Sequence, residues 1–234
     1  RPALREEDSV RVGRVVDLSR RVEPKMPVYP GDPEVSFEPA AVLEEDGVNV
    51  LRVCMGSHSG THVDAPYHFV VEGSRIDELD LTLFFGPAAM LDVRGRGPRS
   101  RITAEDMRPF ASMLSPGVIA IVRTGWEVHY GTSLYYEHPF LDSGAARVLL
   151  NAGVRTVAID ALSVDETVAD GPHPEGYPAH HAILGAGGVI AENLANLGAV
   201  DFPQPFVSLL PLRLGGADGA PVRAVALELL PGDE

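Results

Sequence analysis

Side chains that could bind a metal ion are concentrated in one short stretch, GSHSGTHVDAPYHF, residues 56–69. His58, His62 and His68 fall within it, and Asp64 lies two residues after the middle histidine. Neutral imidazole and carboxylate are ligands that divalent metal ions accept at neutral pH. Three such ligands leave coordination positions open for water, which is the arrangement of a catalytic rather than a structural site. The stretch therefore predicts a catalytic metal site.

The spacing within this stretch is compatible with two local structures. His58 and His62 would share a face if the chain were helical there. In an irregular loop after a strand, the Gly60–Thr61 pair would instead bend the chain to bring them together, and Asp64 would share a face with His62 on an extended segment. The competing interpretation is a set of hydrogen-bonded histidines without a metal ion, with Asp64 capping a turn.

His68 is not needed to complete a metal site that already has three ligands. It follows Pro66 and stays close to the other histidines along the chain. An imidazole that titrates at about pH 6.5 is suited to shuttling protons in a reaction at neutral pH. We therefore interpret His68 as the general acid and base.

Composition excludes several classes of function. The chain has 234 residues, 45% of them apolar, and a formal charge of −14, so we expect a single domain over 1–234 with a flexible segment at 1–10. The acidic surface argues against binding to nucleic acid or to an anionic membrane. One cysteine, Cys54, excludes an intrachain disulfide, and we expect it to be buried. We expect a cytoplasmic protein.

The pattern of apolar residues and turn signals predicts a mixed α/β fold. A helix over 143–153, with Ser143 as its N-cap and Gly153 as its C-terminal stop, is followed at once by a strand, which is typical of an α/β unit. A turn of helix, a glycine break at 185–188 and a strand or short helix carrying Glu192 are expected next. The remaining predicted elements are strands at 11–20, 48–55, 86–95, 117–126 and 154–162, and a terminal hairpin of 205–214 and 221–230 around GGADGA. A short helix is predicted at 103–110, with Thr103 as N-cap and Asp106 three residues later in a pattern of capping-box type.

Several further motifs resemble those of one family. HSGTHVDAPYH is similar to the H-x-G-T-H-x-D-x-P-x-H signature of the metal-dependent cyclase family, which includes bacterial kynurenine formamidase and isatin hydrolase. The segments DLSRRVEPKMPVYPGDP, RTGWEVHYG, GVRTVAIDALSVD and HHAILGAGGVIAENLANL also resemble family segments, in the family's order. The resemblance implies an α/β domain with a β-barrel-like core flanked by helices, of the swivelling β/β/α type. It also implies a homodimer or homotetramer.

The resemblance also implies which residues act. The residues that match the family's metal ligands are His58, His62, Asp64, His180 and Glu192, and His68 matches its catalytic histidine. The ion implied is Zn²⁺ or Mn²⁺, with one or two bound. Tyr29, in a turn-rich segment, is the candidate for contact with an aryl substrate. Asp32 and Asp165 are interpreted as turn caps, and Asp160 as either a partner of a ligand histidine or the end of a strand.

The function implied is hydrolysis of the C–N bond of an amide, as in the arylformamidases of tryptophan catabolism. Hydroxide formed at the metal would attack the carbonyl carbon, and His68 would protonate the departing amine. Three alternatives stay open: hydrolysis of a cyclic amide of the isatin type, a cyclase or dehydratase acting on a polyketide-like substrate, and a non-catalytic binding protein stabilised by metal. All but the last require a small-molecule substrate.

Overall fold

A mixed β-sheet positions the stretch 56–69, which the sequence predicts to bind metal. The computed structural model describes residues 9–168 and 173–232. The strands are β1 (Val10–Asp17), β2 (Ser36–Ala41), β3 (Val50–Cys54), β4 (His62–Asp64), β5 (Phe85–Asp92), β6 (Arg101–Ile102), β7 (Ile119–Arg123), β8 (Phe140–Leu141), β9 (Thr156–Ile159), β10 (Val189–Glu192), β11 (Phe206–Ser208), β12 (Gly219–Pro221) and β13 (Val225–Pro231). Nine of them are hydrogen-bonded in the order β1-β13-β11-β5-β7-β9-β10-β4-β12. The strand pairs β2–β3 and β6–β8 form two separate small sheets.

The helices are few and short. They are α1 (Leu43–Asp46), α2 (Ala104–Met107), α3 (Ser143–Asn151) and α4 (Pro178–Gly185). Short 3-10 helices lie at Pro66–His68, Leu81–Leu83, Arg108–Met113, Trp126–His129, Ser133–Glu137 and Leu197–Ala199. Within 9–168 and 173–232, no helix has the length and apolar character required to span a membrane.

The centre of the sheet is parallel and covered on both faces. Strands β5, β7, β9 and β10 run parallel, which explains their nearly continuous apolar sequences. Along β7, Ala120 and Val122 join one buried cluster while Ile119 and Ile121 join another. Because alternate residues of a strand point to opposite faces, the two clusters lie on opposite sides of the sheet. Helices α3 and α4 contribute buried residues to the cluster that contains Val122.

The predicted α/β fold built on a large β core is confirmed, and so are the predicted strands and helices as elements. Thr103 and Asp106 form the predicted capping box of α2, with the Asp106 carboxylate accepting from the Thr103 backbone N–H. The expected flexible segment lies largely outside the described residues, since 1–8 are not among them, while Val10 already belongs to β1.

Three expectations need correction, two about individual residues and one about the terminal hairpin. The N-cap of α3 is Asp142 and not Ser143, because the Asp142 carboxylate accepts a hydrogen bond from the backbone N–H of Ala145. Cys54 is exposed and not buried, because it ends β3 in the two-stranded sheet, where its own strand is open to solvent.

The third correction concerns the terminal hairpin. Strands β11 and β13 do pair antiparallel, as predicted. GGADGA is not simply their turn, however, because its last two residues begin β12, which pairs with β4 instead. The segment therefore carries Asp218 to the edge of the metal-binding stretch.

Candidate metal centre

Strand β4 is the base of the site. His62 and Asp64 are two residues apart on this strand, so their side chains leave the same face. In the antiparallel pairing with β10, Glu192 lies directly opposite His62. The His62 Nε2 atom is 3.3 Å from Asp64 Oδ1 and 3.6 Å from Glu192 Oε2. Strand pairing thus brings a late glutamate beside the histidine motif.

Two more histidines reach the same carboxylates from other elements. His180 lies in α4, and its Nε2 atom is 3.5 Å from both Asp64 Oδ2 and Glu192 Oε1. His58 lies in the turn between β3 and β4, and its Nδ1 atom is 2.7 Å from Asp64 Oδ1. Of the two local structures considered for His58 and His62, helix or irregular loop, the structure has the irregular loop, in which Gly60 has a φ of 68°. The five residues that the sequence matched to the family's ligands therefore lie around Asp64, which three of them contact directly, while Glu192 adjoins His62 and His180.

Each of the three histidines uses its second ring nitrogen in a hydrogen bond. His62 Nδ1 is 2.8 Å from the carbonyl oxygen of Gly60. His180 Nδ1 is 2.7 Å from Asp165 Oδ2. His58 Nε2 is 3.0 Å from Asp218 Oδ2. Such outer hydrogen bonds fix the ring orientation and tautomer of metal-binding histidines, so the nitrogens that face Asp64 are set up to act as ligands.

The charge balance of the site favours a cation. Asp64 is about 1% exposed, and its Oδ2 atom has no hydrogen-bond partner among the described residues. Burial opposes a charge on His58 and on His180, yet the adjacent carboxylates raise the pKa of each to about 10. Burial, together with the charge of Asp64, raises the pKa of Glu192 to about 7. Buried carboxylates that are short of partners fit a divalent ion among them.

The donor atoms form two overlapping groups. His62, Asp64 and Glu192 place one ligand atom each within 4.8 Å of one another, and so do His58, Asp64 and His68. Asp64 belongs to both groups, and its two oxygens face different histidines. The arrangement can hold one ion on the first group, which His180 also adjoins, and leaves room for a second on the other.

His68 lies beside this centre on the short 3-10 helix that follows Pro66. Its ring stacks on that of His58, with 4.0 Å between the ring centroids. Burial lowers the pKa of His68 to about 4, against the raising effect of Asp64, so the imidazole is neutral near pH 7. A neutral imidazole can accept a proton, as a general base must.

A cavity of about 370 Å³ opens next to the centre. His58, His62, His68, His180 and Glu192 are all part of its lining. The rest of the lining is mostly apolar and aromatic, namely Pro27, Val28, Tyr29, Pro30, Phe69, Leu162 and Tyr177, and Gly31, Asp32, Ser163 and Asn193 complete it. The Tyr29 and Tyr177 hydroxyl oxygens are 3.4 Å apart. The cavity is of the size and polarity that admits a small aryl compound.

Sequence reasoning did not assign some of these residues to the site. Asp165 was interpreted as a cap, and it does accept from the backbone N–H groups of Ala179 and His180 in α4, but it also holds the His180 ring. Asp160 does not contact a ligand histidine: its carboxylate accepts from the backbone of Thr124 and Gly125.

Tyr177 and Asp218 were not singled out at all. Each lies far along the chain from the histidine motif, in a segment that looks like an ordinary turn. The only available signal was their position: Tyr177 lies three residues before His180, and Asp218 is the one charged residue of GGADGA.

The chain is similar to known proteins along most of its length. Residues 16–166 match the family described as "Putative cyclase". A kynurenine formamidase from Geobacillus thermodenitrificans is 35% identical, over 89% of this chain and 95% of that protein. A structure described as a predicted metal-dependent hydrolase from Bacillus stearothermophilus has 28% identity and a TM-score of 0.73, covering 94% of this chain and 98% of that one. Isatin hydrolase A from Labrenzia aggregata shares the fold, with a TM-score of 0.83 at 24% identity and 93% coverage of both chains.

Proposed function

This chain belongs to the cyclase family, and we propose that it is a metal-dependent hydrolase that cleaves the C–N bond of an amide. The observation that carries the proposal is the convergence of imidazole and carboxylate ligand atoms from β4, α4 and β10 at the wall of an aryl-sized cavity. The kynurenine formamidase similarity over nearly the whole chain supports the same reaction class.

The substrate class that we propose is an N-formyl arylamine, as in the formamidases. Tyr29, Phe69 and Tyr177 contribute aromatic rings to the cavity lining, and the Phe69 ring centroid lies 4.6 Å from that of His180. An aryl ring bound against these groups would place its formamide group near His62, His68 and Glu192. Hydrolysis would then yield an arylamine and formate, a step that suits tryptophan catabolism.

The metal ion that we propose is Zn²⁺ or Mn²⁺, because both accept imidazole and carboxylate ligands. The residues that would hold it are His62, Asp64, His180 and Glu192, with His58 available to a second ion. When bound, such an ion polarises a carbonyl group and lowers the pKa of water.

His68 would carry out both proton transfers of the reaction. Nδ1 of His68 faces Asp218, so Nε2 is the nitrogen left for the substrate in the cavity. Neutral His68 would take a proton from the attacking water as the C–O bond forms. The same proton would pass to the amine nitrogen as the C–N bond breaks, which returns His68 to its neutral state.

The test is a substrate panel combined with metal analysis. Protein loaded with Zn²⁺ or Mn²⁺ is assayed with N-formylkynurenine, isatin and an aryl lactone. Turnover of the formamide supports the proposal. Turnover of isatin alone would assign the cyclic-amide reaction, and absence of turnover on all three would leave the cyclase and the binding protein as the candidates.

A His68→Ala variant separates catalysis from metal binding. We expect a fall in kcat of about 10²–10⁴-fold with metal content unchanged. The matched control is His129→Ala, since His129 packs against Trp126 and is not part of the cavity lining. Equal turnover in the His68→Ala variant would remove His68 from the mechanism.

The location and assembly of the protein stay predictions. We propose a cytoplasmic homodimer or homotetramer, on the sequence resemblance alone. Light scattering coupled to size-exclusion chromatography would measure the number of subunits.

A further inference from the structure

We propose that Asp218 is a positioning residue that orients both the first metal-binding histidine, His58, and the acid–base histidine, His68. The proposal rests on the proposed function, because it takes those two roles from it. It assigns a function to a carboxylate from the loop before β12, far along the chain from either histidine.

The first observation is the outer hydrogen bond of each candidate ligand histidine. The ring of His62 bonds to the carbonyl of Gly60, and the ring of His180 bonds to Asp165. The corresponding partner of His58 is Asp218, with 3.0 Å between Nε2 and Oδ2. A carboxylate that accepts the Nε2 proton leaves Nδ1, which faces Asp64, as the nitrogen that a metal ion would bind in place of a proton.

The second observation is that the same oxygen also faces His68. Asp218 Oδ2 is 3.4 Å from His68 Nδ1. The two imidazole rings are stacked, with 29° between their planes. One carboxylate oxygen at the edge of the stack therefore hydrogen-bonds one ring, that of His58, and lies 3.4 Å from a nitrogen of the other, so it can orient both.

The third observation is that the fold holds Asp218 in place. The Ser57 hydroxyl donates to Asp218 Oδ1 at 2.9 Å, and the Ala65 backbone N–H donates to the Asp218 carbonyl oxygen at 2.9 Å. The next residue, Gly219, lies opposite Asp64 in the sheet, and a Cβ atom there would be 2.8 Å from His58 Cε1. Glycine at this position lets the strand approach closely enough for the carboxylate to reach the rings.

The experiment uses Asp218→Asn, which keeps the shape of the side chain and removes its charge. The side chain is 38% exposed, so the substitution leaves no buried cavity. We expect zinc affinity, measured by competition with a chelator, to fall by about 10–100-fold. We also expect kcat to fall with KM little changed, since the ring positions and not the aryl pocket are affected.

A spectroscopic readout distinguishes positioning from a general structural effect. Nitrogen-15 NMR of the zinc-loaded wild-type protein should show His58 protonated at Nε2. In the zinc-loaded Asp218→Asn variant the His58 Nε2–H proton should resonate upfield and exchange faster with water, because its hydrogen bond to a charged carboxylate is lost. The Ser57→Ala variant, which frees only Oδ1, should shift both readouts in the same direction by less. The matched control is Asp77→Asn, because Asp77 accepts from Gly216 in the same loop.

Unchanged zinc affinity and an unchanged His58 signal in Asp218→Asn would overturn the proposal, as would equal losses in Asp77→Asn. These readouts need no substrate. If the wild-type protein hydrolyses no amide while the zinc affinity and the His58 signal of Asp218→Asn change as expected, the proposed reaction fails and the positioning role stands.

Discussion

Replacing Glu192 with Gln should have opposite effects on the metal-free and the metal-loaded protein. Glu192 is buried, and its Oε1 atom accepts a hydrogen bond from the backbone N–H of Val164 at 2.8 Å. Burial and the nearby charge of Asp64 raise its pKa from 4.5 to about 7. In the metal-free protein the ionised carboxylate therefore destabilises the fold, whereas in the metal-loaded protein it would be a ligand of the ion.

The magnitude follows from the raised pKa of Glu192. The unfolded chain releases the Glu192 proton near its ordinary pKa, while the folded protein keeps it to higher pH, so stability is lost as the pH rises. The difference of about 2.5 units corresponds to roughly 3 kcal/mol once the pH exceeds the folded pKa. Metal-free Glu192→Gln should thus be more stable than wild type by less than about 1 kcal/mol near pH 5 and by about 3 kcal/mol near pH 8.

Urea denaturation with and without excess zinc measures both effects. At a free zinc concentration about 100 times the dissociation constant, wild type should gain about 2.7 kcal/mol, and Glu192→Gln should gain much less. Glu72→Gln is the matched control, because Glu72 is exposed. The reasoning is refuted if metal-free Glu192→Gln is less stable than wild type near pH 8, or if zinc stabilises both proteins equally.

Three further substitutions have expected outcomes. Gly219→Ala should destabilise the protein by about 1–3 kcal/mol in urea denaturation, because the new Cβ would be 2.7 Å from a backbone oxygen of β4, while Gly215→Ala, with open space around it, should stay within about 0.5 kcal/mol. Burial lowers the pKa of His138 to about 4, so the folded protein binds its proton less readily than the unfolded chain does. The free energy of unfolding should therefore fall by about 3 kcal/mol as the pH drops from about 6.5 toward 4, and His138→Gln should remove this loss. Asp165→Asn should weaken zinc binding by about 10–100-fold in chelator competition. Unchanged zinc affinity would show that the His180 ring needs no carboxylate partner to bind the ion.

Local signals in the sequence were sufficient for the secondary structure and for the ligand types. The apolar run of β7 and the capping box at Thr103 depend on residues that are neighbours in the chain, so the pattern alone predicts them. The ends of elements were less certain, since Asp142 and Ser143 are both good N-caps and only the chain direction before α3 selects the first.

Composition and periodicity did not predict the residues that complete the site: Glu192 was assigned from the family resemblance, and Asp218 was not assigned at all. The sequence alone determined that His58, His62 and Asp64 could bind a metal ion, because their chemistry and spacing lie within seven residues. Only the tertiary structure brought Glu192 opposite His62 and set Asp218 against His58. The physical reason is that β4 is hydrogen-bonded on both sides, to β10 and to β12, and pairing between strands distant in the chain leaves no local trace in composition or periodicity.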